Sequence, residues 1–214
     1  MSSWTDEQTQ FVNKCISAHG HNLLWNTGES ITIKINSLSG LIPVTKKAKQ
    51  FFSSAIEAKI YPFDQKVVFT GVKGMTQVVY ASGDIHLHQK SDDSVKVFKN
   101  RRNHFKGMRK LLTWDMVDTF YFFGYALVTY YSIPSLLPKL EFLQEISVKN
   151  LRGFKVRFPN DYNTHSEIQT FYFNEQGLLA RHDYTADIIS QMAIGSHFTR
   201  NYISKSGVMI ATER

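Results

Sequence analysis

The chain has 214 residues, of which 43% are hydrophobic and 14% aromatic. This composition is ample for a sizeable core, and the length favours one folded domain over residues 1–214. The 25 basic and 18 acidic side chains give a formal charge of +7, but this excess is not gathered into a tail, so nucleic acid is an unfavoured partner. The single cysteine, Cys15, excludes an internal disulfide framework. With no secretory signal and no apolar run near the roughly 20 residues that span a bilayer, the sequence predicts a cytoplasmic protein without a transmembrane segment.

The first half of the chain predicts one helix followed by a series of strands. Residues 1–20 are amphipathic, and Thr5 followed by Glu7 and Gln8 is typical of a helix N-terminus. Ile31, Ile33 and Ile35 alternate with polar residues, which indicates a half-buried strand. Further β-branched and aromatic segments separated by turn residues predict strands at 48–63, 65–71, 77–81, 85–89 and 95–99.

An aromatic helix is predicted at residues 114–131. Thr113 is a suitable cap, the segment contains no proline, and Pro134 stops the helix. The segment is apolar on nearly every side, and such a helix is normally buried. We therefore expect a sheet to curl around it. Further strands are predicted at 142–147, 151–158 and 207–212.

A hairpin with a polar cluster is predicted at residues 164–184. Its first arm alternates over 168–173, residues 174–177 provide a turn, and 178–184 return. Because side chains on a strand repeat every two residues, His182 and Tyr184 should share one face while Arg181 and Asp183 share the other.

The second half of the chain resembles a family of mostly bacterial proteins without an established activity. The shared motifs are Gly124-Tyr125-Ala126, a proline-bounded loop at 134–137, Phe158-Pro159, and the hairpin pattern THS..Q.FYF...GLL.RHDY from Thr164 to Tyr184. The order of strands and helix is also similar to the half-barrels of bacterial lipoprotein carriers (LolA-like). This resemblance implies an α+β fold, in which a strongly curved antiparallel β half-barrel wraps around the central aromatic helix.

A cavity between that sheet and helix would suit a hydrophobic or amphipathic small molecule. The residues expected to bind it are Tyr125, Tyr130, Gln169, Tyr172, Arg181 and Tyr184. An alternative is a cofactor-free cyclase, isomerase or hydrolase in the same cavity, where His165 or His182 moves a proton and Asp183 orients it. A third alternative is a polar network that only pins the hairpin. The sequence leaves open whether the protein is an enzyme.

Metal and anion sites are not favoured by the sequence. His86 and His88 form an HxH pair, but no third ligand accompanies them, so we expect an ordinary exposed face and no metal. No Walker loop, dinucleotide fingerprint or GxSxG elbow occurs, and no cofactor is predicted. The basic stretch at 96–110, with Phe98 and Phe105 interleaved, is compatible with binding of an anionic headgroup or nucleic acid, but a solvated strand edge is the favoured interpretation.

Overall fold

The computed structural model describes residues 4–38, 40–52 and 54–213, with the side chains of His21 and Leu41 outside that description. The chain forms two compact units. The inserted unit is Thr27–Tyr131, and the split unit combines Met1–Asn26 with Ser132–Arg214. The α helices of the described residues are α1 (Asp6–His19), α2 (Leu41–Thr45) and α3 (Met116–Ser132). Because helices accompany antiparallel sheets, the predicted α+β class is confirmed.

The inserted unit contains a six-stranded antiparallel sheet in which sequential strands are neighbours. Its strands are β1 (Ile31–Ile35), β2 (Ile56–Tyr61), β3 (Lys66–Thr70), β4 (Met75–Ala81), β5 (Asp84–Gln89) and β6 (Val95–Phe98). The alternation of buried and exposed side chains is clearest on β2. Ile56, Ala58 and Ile60 are fully buried, whereas Glu57 and Lys59 are exposed. One face of this sheet is therefore apolar.

Helix α3 begins two residues later than the sequence predicted, at Met116 instead of Trp114. Asp118 N donates to Asp115 Oδ1 at 2.7 Å, and Asp115 N donates to Asp118 Oδ2 at 3.3 Å. This reciprocal pair caps the helix, so the cap is Asp115 and not Thr113. A carboxylate at this position also suits the positive end of the helix dipole.

The apolar surface of α3 contacts the six-stranded sheet of the same unit. The ring of Phe120 lies 4.9 Å from that of Phe69 on β3, and the ring of Tyr121 lies 6.2 Å from that of Tyr80 on β4. A Cβ added to Gly124 would sit 2.3 Å from Cγ of Tyr80, so glycine at this position permits the close approach of helix and sheet.

Between β6 and α3 the chain forms two short 3₁₀ helices, Arg101–His104 and Gly107–Leu111. The interpretation of this basic stretch as a strand edge fits Lys96 on the edge strand β6 but was wrong for residues 101–110. Strand β6 ends at Phe98, and Asn100 adopts a left-handed conformation with φ of 48°, which takes the chain out of the sheet.

The split unit contains a five-stranded antiparallel sheet and a two-stranded hairpin. The sheet consists of β7 (Glu141–Val148), β8 (Leu151–Arg157), β9 (Ile168–Phe173), β10 (Leu179–Thr185) and β11 (Ile194–Phe198), again with sequential neighbours. Strands β12 (Arg200–Lys205) and β13 (Val208–Glu213) pair with each other. The described strands thus lie in three sheets, whereas the sequence predicted one curved sheet, because alternation identifies strands but not their partners.

Helix α1 packs against the five-stranded sheet. Thr5 and Gln8 form a reciprocal capping box at its start, and Gly20 ends it in the left-handed conformation. Val12 and Cys15 belong to a buried cluster with Phe154, Val156, Phe158, Phe171, Phe173 and Leu179. At the other end of the helix, the backbone N–H of Leu179 donates to Nε2 of the buried His19, which fastens α1 to β10. Within residues 4–38, 40–52 and 54–213, no helix combines the length and the apolar character that a bilayer span requires.

Candidate functional site

The predicted polar hairpin is formed by β9 and β10. In its register, Phe171 faces His182, Thr170 faces Asp183 and Tyr172 faces Arg181. Cross-strand partners share a face of a sheet, so His182 lies on the same face as Phe171, and Arg181 lies on the same face as Tyr172. The sheet therefore divides the predicted site residues into an inner group and an outer group.

Gln169 organises the inner group through its side-chain amide. Its Nε2 donates to Thr164 Oγ1 and to the carbonyl of Ser166, both at 2.8 Å. Its Oε1 lies 2.6 Å from Nε2 of His182, and because an amide oxygen only accepts, the imidazole is the donor. Gln169 and His182 are both buried, so the side-chain position of each fixes that of the other.

A row of rings crosses the five-stranded sheet, and we name it the aromatic row. It comprises Phe158, Phe171, His182, Tyr184 and His197. Successive ring centroids lie 6.2, 4.3, 4.8 and 5.1 Å apart in that order. The closest pair, Phe171 and His182, is nearly parallel with an interplanar angle of 16°. Four consecutive contacts of this kind make a continuous polarisable row across the sheet.

The histidines of this group differ in their access to solvent. His165 is fully buried and stacks on Tyr184 at 4.0 Å, and His182 is 2% exposed. His197 on β11 is half-buried, and its Nε2 lies 2.9 Å from the hydroxyl of Tyr184. The predicted proton carriers His165 and His182 are therefore enclosed, whereas His197 was missed. The alternation of Ile194, Ser196 and Phe198 with Gly195 and His197 is the sequence signal that would have indicated it.

Arg181 and Asp183 form the outer group together with Tyr172. Arg181 Nε donates to Asp183 Oδ1 at 2.7 Å, and its guanidinium lies 5.1 Å from the ring centroid of Tyr172 and 5.6 Å from that of Phe198. Burial raises the pKa of the Tyr172 phenol, and the nearby Asp183 carboxylate raises it further. Asp183 thus lies on the opposite face of β10 from His182, and the structure does not bring this carboxylate to the histidines.

Tyr125 and Tyr130 lie on α3. Tyr125 is fully buried, with its ring 5.2 Å from that of Tyr121 and 5.5 Å from that of Phe122, and Tyr130 is half-buried. Both tyrosines belong to the inserted unit, whereas the hairpin belongs to the split unit. Their predicted grouping with the hairpin residues stays a prediction.

Two cavities of the split unit adjoin the ends of the aromatic row. We name the first the aromatic pocket: its volume is about 580 Å³, and its lining consists of Trp4, Lys139, Leu140, Glu141, Phe142, Arg157, Phe158, Pro159, Asn160 and Glu167. The second, the polar pocket, has a volume of about 650 Å³ and is lined by Ser196, His197, Phe198, Arg200, Thr212 and Glu213. Phe158 begins the row at the first cavity, and His197 ends it at the second.

The described part of the chain contains no group of three or more His, Cys, Asp or Glu side chains arranged to hold a metal ion. His86 and His88 share one face of β5, where both are half-buried. In comparisons with known proteins, no family model matches this sequence and no curated protein is significantly similar to it. The resemblance of residues 124–184 to a bacterial family therefore stays a prediction.

Proposed function

We propose that the protein binds a hydrophobic or amphipathic small molecule, and that the aromatic pocket of the split unit is the binding site. The observation that carries this proposal is the lining of the pocket, in which aromatic and aliphatic side chains are combined with a charged rim. A volume of about 580 Å³ is typical of small-molecule sites. Such sites usually join an apolar wall to a few polar groups that fix orientation.

The apolar wall of this pocket is built by side chains from separate parts of the chain. The ring of Trp4, which precedes α1, lies 5.0 Å from that of Phe142 on the edge strand β7. The indole N–H of Trp4 donates to the carbonyl of Leu140 at 3.3 Å, which fixes the ring in the pocket wall. Phe158, which is 1% exposed, also lines the pocket. An aliphatic or aromatic moiety would be held by these rings.

The charged rim favours one kind of polar group on the proposed ligand. Arg157 Nη1 lies 3.0 Å from Glu141, and Arg157 Nε lies 2.8 Å from Glu167. Lys139 is the second cation, and its ammonium lies 5.3 Å from the ring centroid of Trp25. Two cations and two anions leave the rim without net charge. The rim therefore favours an uncharged or zwitterionic polar group over a strongly charged one.

A binding experiment with an uncharged fluorescent probe, N-phenyl-1-naphthylamine, tests the proposal. Phe142→Ala should weaken probe affinity about tenfold, because it removes a ring that the ligand would cover. Phe63→Ala is the matched control, since Phe63 is an exposed phenylalanine of the inserted unit and lines neither pocket. Circular dichroism checks that both variants fold. An unchanged affinity in Phe142→Ala, or an equal loss in both variants, contradicts binding in the aromatic pocket.

The half-barrel architecture is a second part of the proposal and concerns the inserted unit. We propose that its six-stranded sheet curves around α3 in the manner of LolA-like carriers. The contacts of Phe120 with Phe52 and Phe69, at 5.5 and 4.9 Å, support this arrangement, as does the close approach at Gly124. This part of the proposal concerns architecture and implies no cargo.

Acid–base catalysis is the second candidate function, and the pair of Tyr184 and His197 favours it. The phenol and the imidazole lie 2.9 Å apart, and His197 also lines the polar pocket. Because His197 lines that pocket whereas Tyr184 is only 6% exposed, His197 would be the group that takes a proton from a substrate, and the Tyr184 hydroxyl would hold the imidazole in position. Hydrolase and isomerase chemistry both fit this arrangement.

Hydrolysis of p-nitrophenyl acetate tests the catalytic candidate. His197→Gln should reduce the rate at least tenfold, since it removes the proposed base. His86→Gln is the matched control because His86 is another half-buried strand histidine, and it corrects for nonspecific reaction of imidazoles with the ester. Equal rates in the parent protein and in His197→Gln would contradict the catalytic candidate and leave the binding proposal intact.

A further inference from the structure

An exposed apolar surface with adjacent lysines lies on the inserted unit. Met108, Leu111, Leu112 and Val44 are 74%, 70%, 54% and 63% exposed, although large apolar side chains are normally buried. The exposed lysines of the same segments are Lys47 and Lys106, and Lys110 is half-buried. We name this set the apolar–lysine surface.

The second 3₁₀ helix, Gly107–Leu111, displays part of this surface. In a 3₁₀ helix the side chains at positions i and i+3 are aligned, so Met108 and Leu111 project on the same side. Arg109, between them, is directed into the protein. Its Nε donates to His104 Nε2 at 2.6 Å, and its Nη1 donates to the carbonyl of Thr113 at 2.8 Å.

A buried carboxylate anchors this segment. Asp118 is fully buried on α3 and accepts hydrogen bonds from Arg109 Nη2 and from Arg101, whose Nε and Nη2 lie 2.9 and 2.6 Å from Oδ1. Two guanidinium groups thus hold one enclosed carboxylate, and such charge-assisted bonds are short and directional. The apolar side chains are therefore displayed by a fixed scaffold and not by a loose loop.

A buried lysine joins the end of α2, which carries Val44, to residues 110–112. Lys46 is 6% exposed, and its ammonium donates to the carbonyl of Leu112 at 3.2 Å and to the carbonyl of Lys110. The backbone N–H of Trp114 returns a bond to the carbonyl of Lys46 at 2.9 Å. Because Val44 lies two residues before Lys46, the end of α2 and residues 110–112 lie side by side.

The chemistry of this surface fits an anionic lipid bilayer. Methionine and leucine side chains insert between headgroups, while lysines attract anionic lipids and place their stems along the interface. Asp115 is exposed nearby, but its carboxylate is paired with Arg101 at 3.0 Å. Single-stranded nucleic acid is bound by exposed rings on which the bases stack, and of the two rings of this basic stretch Phe98 is half-buried and Phe105 is only 3% exposed. The lipid is therefore favoured over nucleic acid.

We propose that the apolar–lysine surface docks reversibly on bilayers that contain anionic lipid. Met108 and Leu111 enter the headgroup layer, with Leu112 and Val44 beside them. Lys47 and Lys106 hold the anionic headgroups. The scaffold of Asp118, Arg101, Arg109 and Lys46 keeps these side chains in position when no bilayer is present. This inference concerns the inserted unit and does not depend on ligand binding in the split unit.

Co-sedimentation with vesicles tests the inference. The full chain should bind vesicles of equal parts phosphatidylglycerol and phosphatidylcholine, bind pure phosphatidylcholine at least tenfold more weakly, and be released by high salt. The double variant Met108→Ser/Leu111→Ser should lose at least tenfold in affinity. Met192→Ser/Ile194→Ser is the matched control, because these side chains are 88% and 79% exposed but lie in the split unit.

Three outcomes would overturn the inference. The first is absence of binding to the phosphatidylglycerol vesicles. The second is an equal loss of affinity in both double variants, which would indicate a nonspecific hydrophobic effect. The third is tight, salt-dependent binding of single-stranded DNA at this surface without vesicle binding, which would identify nucleic acid as the partner. All the substituted side chains are highly exposed, so both variants should keep the unfolding midpoint of the parent protein.

Discussion

His182 donates a hydrogen bond from Nε2 to Oε1 of Gln169 across 2.6 Å, and both side chains are almost completely buried. The amide nitrogen of Gln169 is bonded in turn to Thr164 and to the carbonyl of Ser166. This bridge joins β9, β10 and the segment before β9 through side chains, in addition to the backbone ladder. It makes the hairpin a rigid unit whatever its function is.

The bridge predicts strong coupling between its two partners. Gln169→Leu should lower the free energy of unfolding by about 2–3 kcal/mol, because it leaves the buried N–H of His182 without its acceptor. His182→Phe should also destabilise, since it leaves Oε1 of Gln169 unpaired. The double variant should cost at least about 1 kcal/mol less than the sum of the single variants. Urea unfolding measures all three values, and additive effects would show that the bridge contributes nothing.

Gly153 on β8 provides a steric prediction for the outer face. A Cβ at this position would lie 2.4 Å from Cδ1 of Tyr172 and 3.0 Å from the carbonyl oxygen of Ile146. Gly153→Ala should therefore destabilise by about 1–3 kcal/mol in thermal or urea unfolding. The same substitution in a Tyr172→Ala background should cost much less, because the ring is then absent. An equal cost in both backgrounds would exclude the ring as the cause.

Glu145 provides a pH prediction. The hydrogen bond from Arg152 lowers the pKa of the Glu145 carboxyl below its ordinary value of 4.5, burial opposes this shift, and Gln8 contributes a further bond. Because the pKa is lower in the folded state, the stabilisation is present above pH 4.5 and is lost as pH falls through the folded-state pKa. Glu145→Gln should thus be less stable by roughly 0.5–1 kcal/mol at pH 7.

The measurement for Glu145 is the difference in unfolding midpoint between Glu145→Gln and the parent protein as a function of pH. The difference should disappear at low pH. Glu175→Gln, on the exposed turn between β9 and β10, is the matched control and should show no such trend. A difference in unfolding midpoint between Glu145→Gln and the parent protein that stays constant down to acidic pH would refute the stabilising role of the Glu145 carboxylate.

Cys15 provides a prediction about the stability of the α1 contact. Its side chain is fully buried, and burial raises the pKa of the thiol to about 12. The folded protein should therefore react very slowly with Ellman's reagent at pH 8, whereas the urea-unfolded chain should release one equivalent of thionitrobenzoate. Rapid reaction of the folded protein would show that α1 detaches readily from the sheet.

Local pattern was sufficient for much of the secondary structure. The alternation at Ile31–Ile35 and along the β9–β10 hairpin indicated strands that the structure contains. Strand β12 carries little period-two signal, since its side chains are mostly exposed on both faces. The distribution of strands over separate sheets was not accessible, because pairing depends on contacts between distant segments that no local pattern specifies.

For the candidate site, proximity in sequence was misleading, whereas period-two alternation was informative. His182 and Asp183 are neighbours in sequence, but the pleat directs them to opposite faces, so only the histidine joins the inner group. The alternation of side chains along β10 correctly predicted that His182 and Tyr184 share one face. The contacts of Asp118 with Arg101 and Arg109 join residues that are 17 and 9 positions apart across an irregular loop, and no spacing rule identifies such pairs.

The division of the split unit along the chain has a consequence for biosynthesis. Trp4 donates a hydrogen bond to Leu140, which lies 136 positions later, and strands β8, β9 and β10, which share a buried cluster with Val12 and Cys15 of α1, all follow the inserted unit. At about 5–20 residues per second, a ribosome delivers β7 on the order of ten seconds after α1. During that interval Phe11, Val12 and Ile16 have no sheet to cover them. The nascent chain therefore presents an amphipathic helix with an uncovered apolar face, which we expect ribosome-associated chaperones to shield until the strands of the split unit have been synthesised.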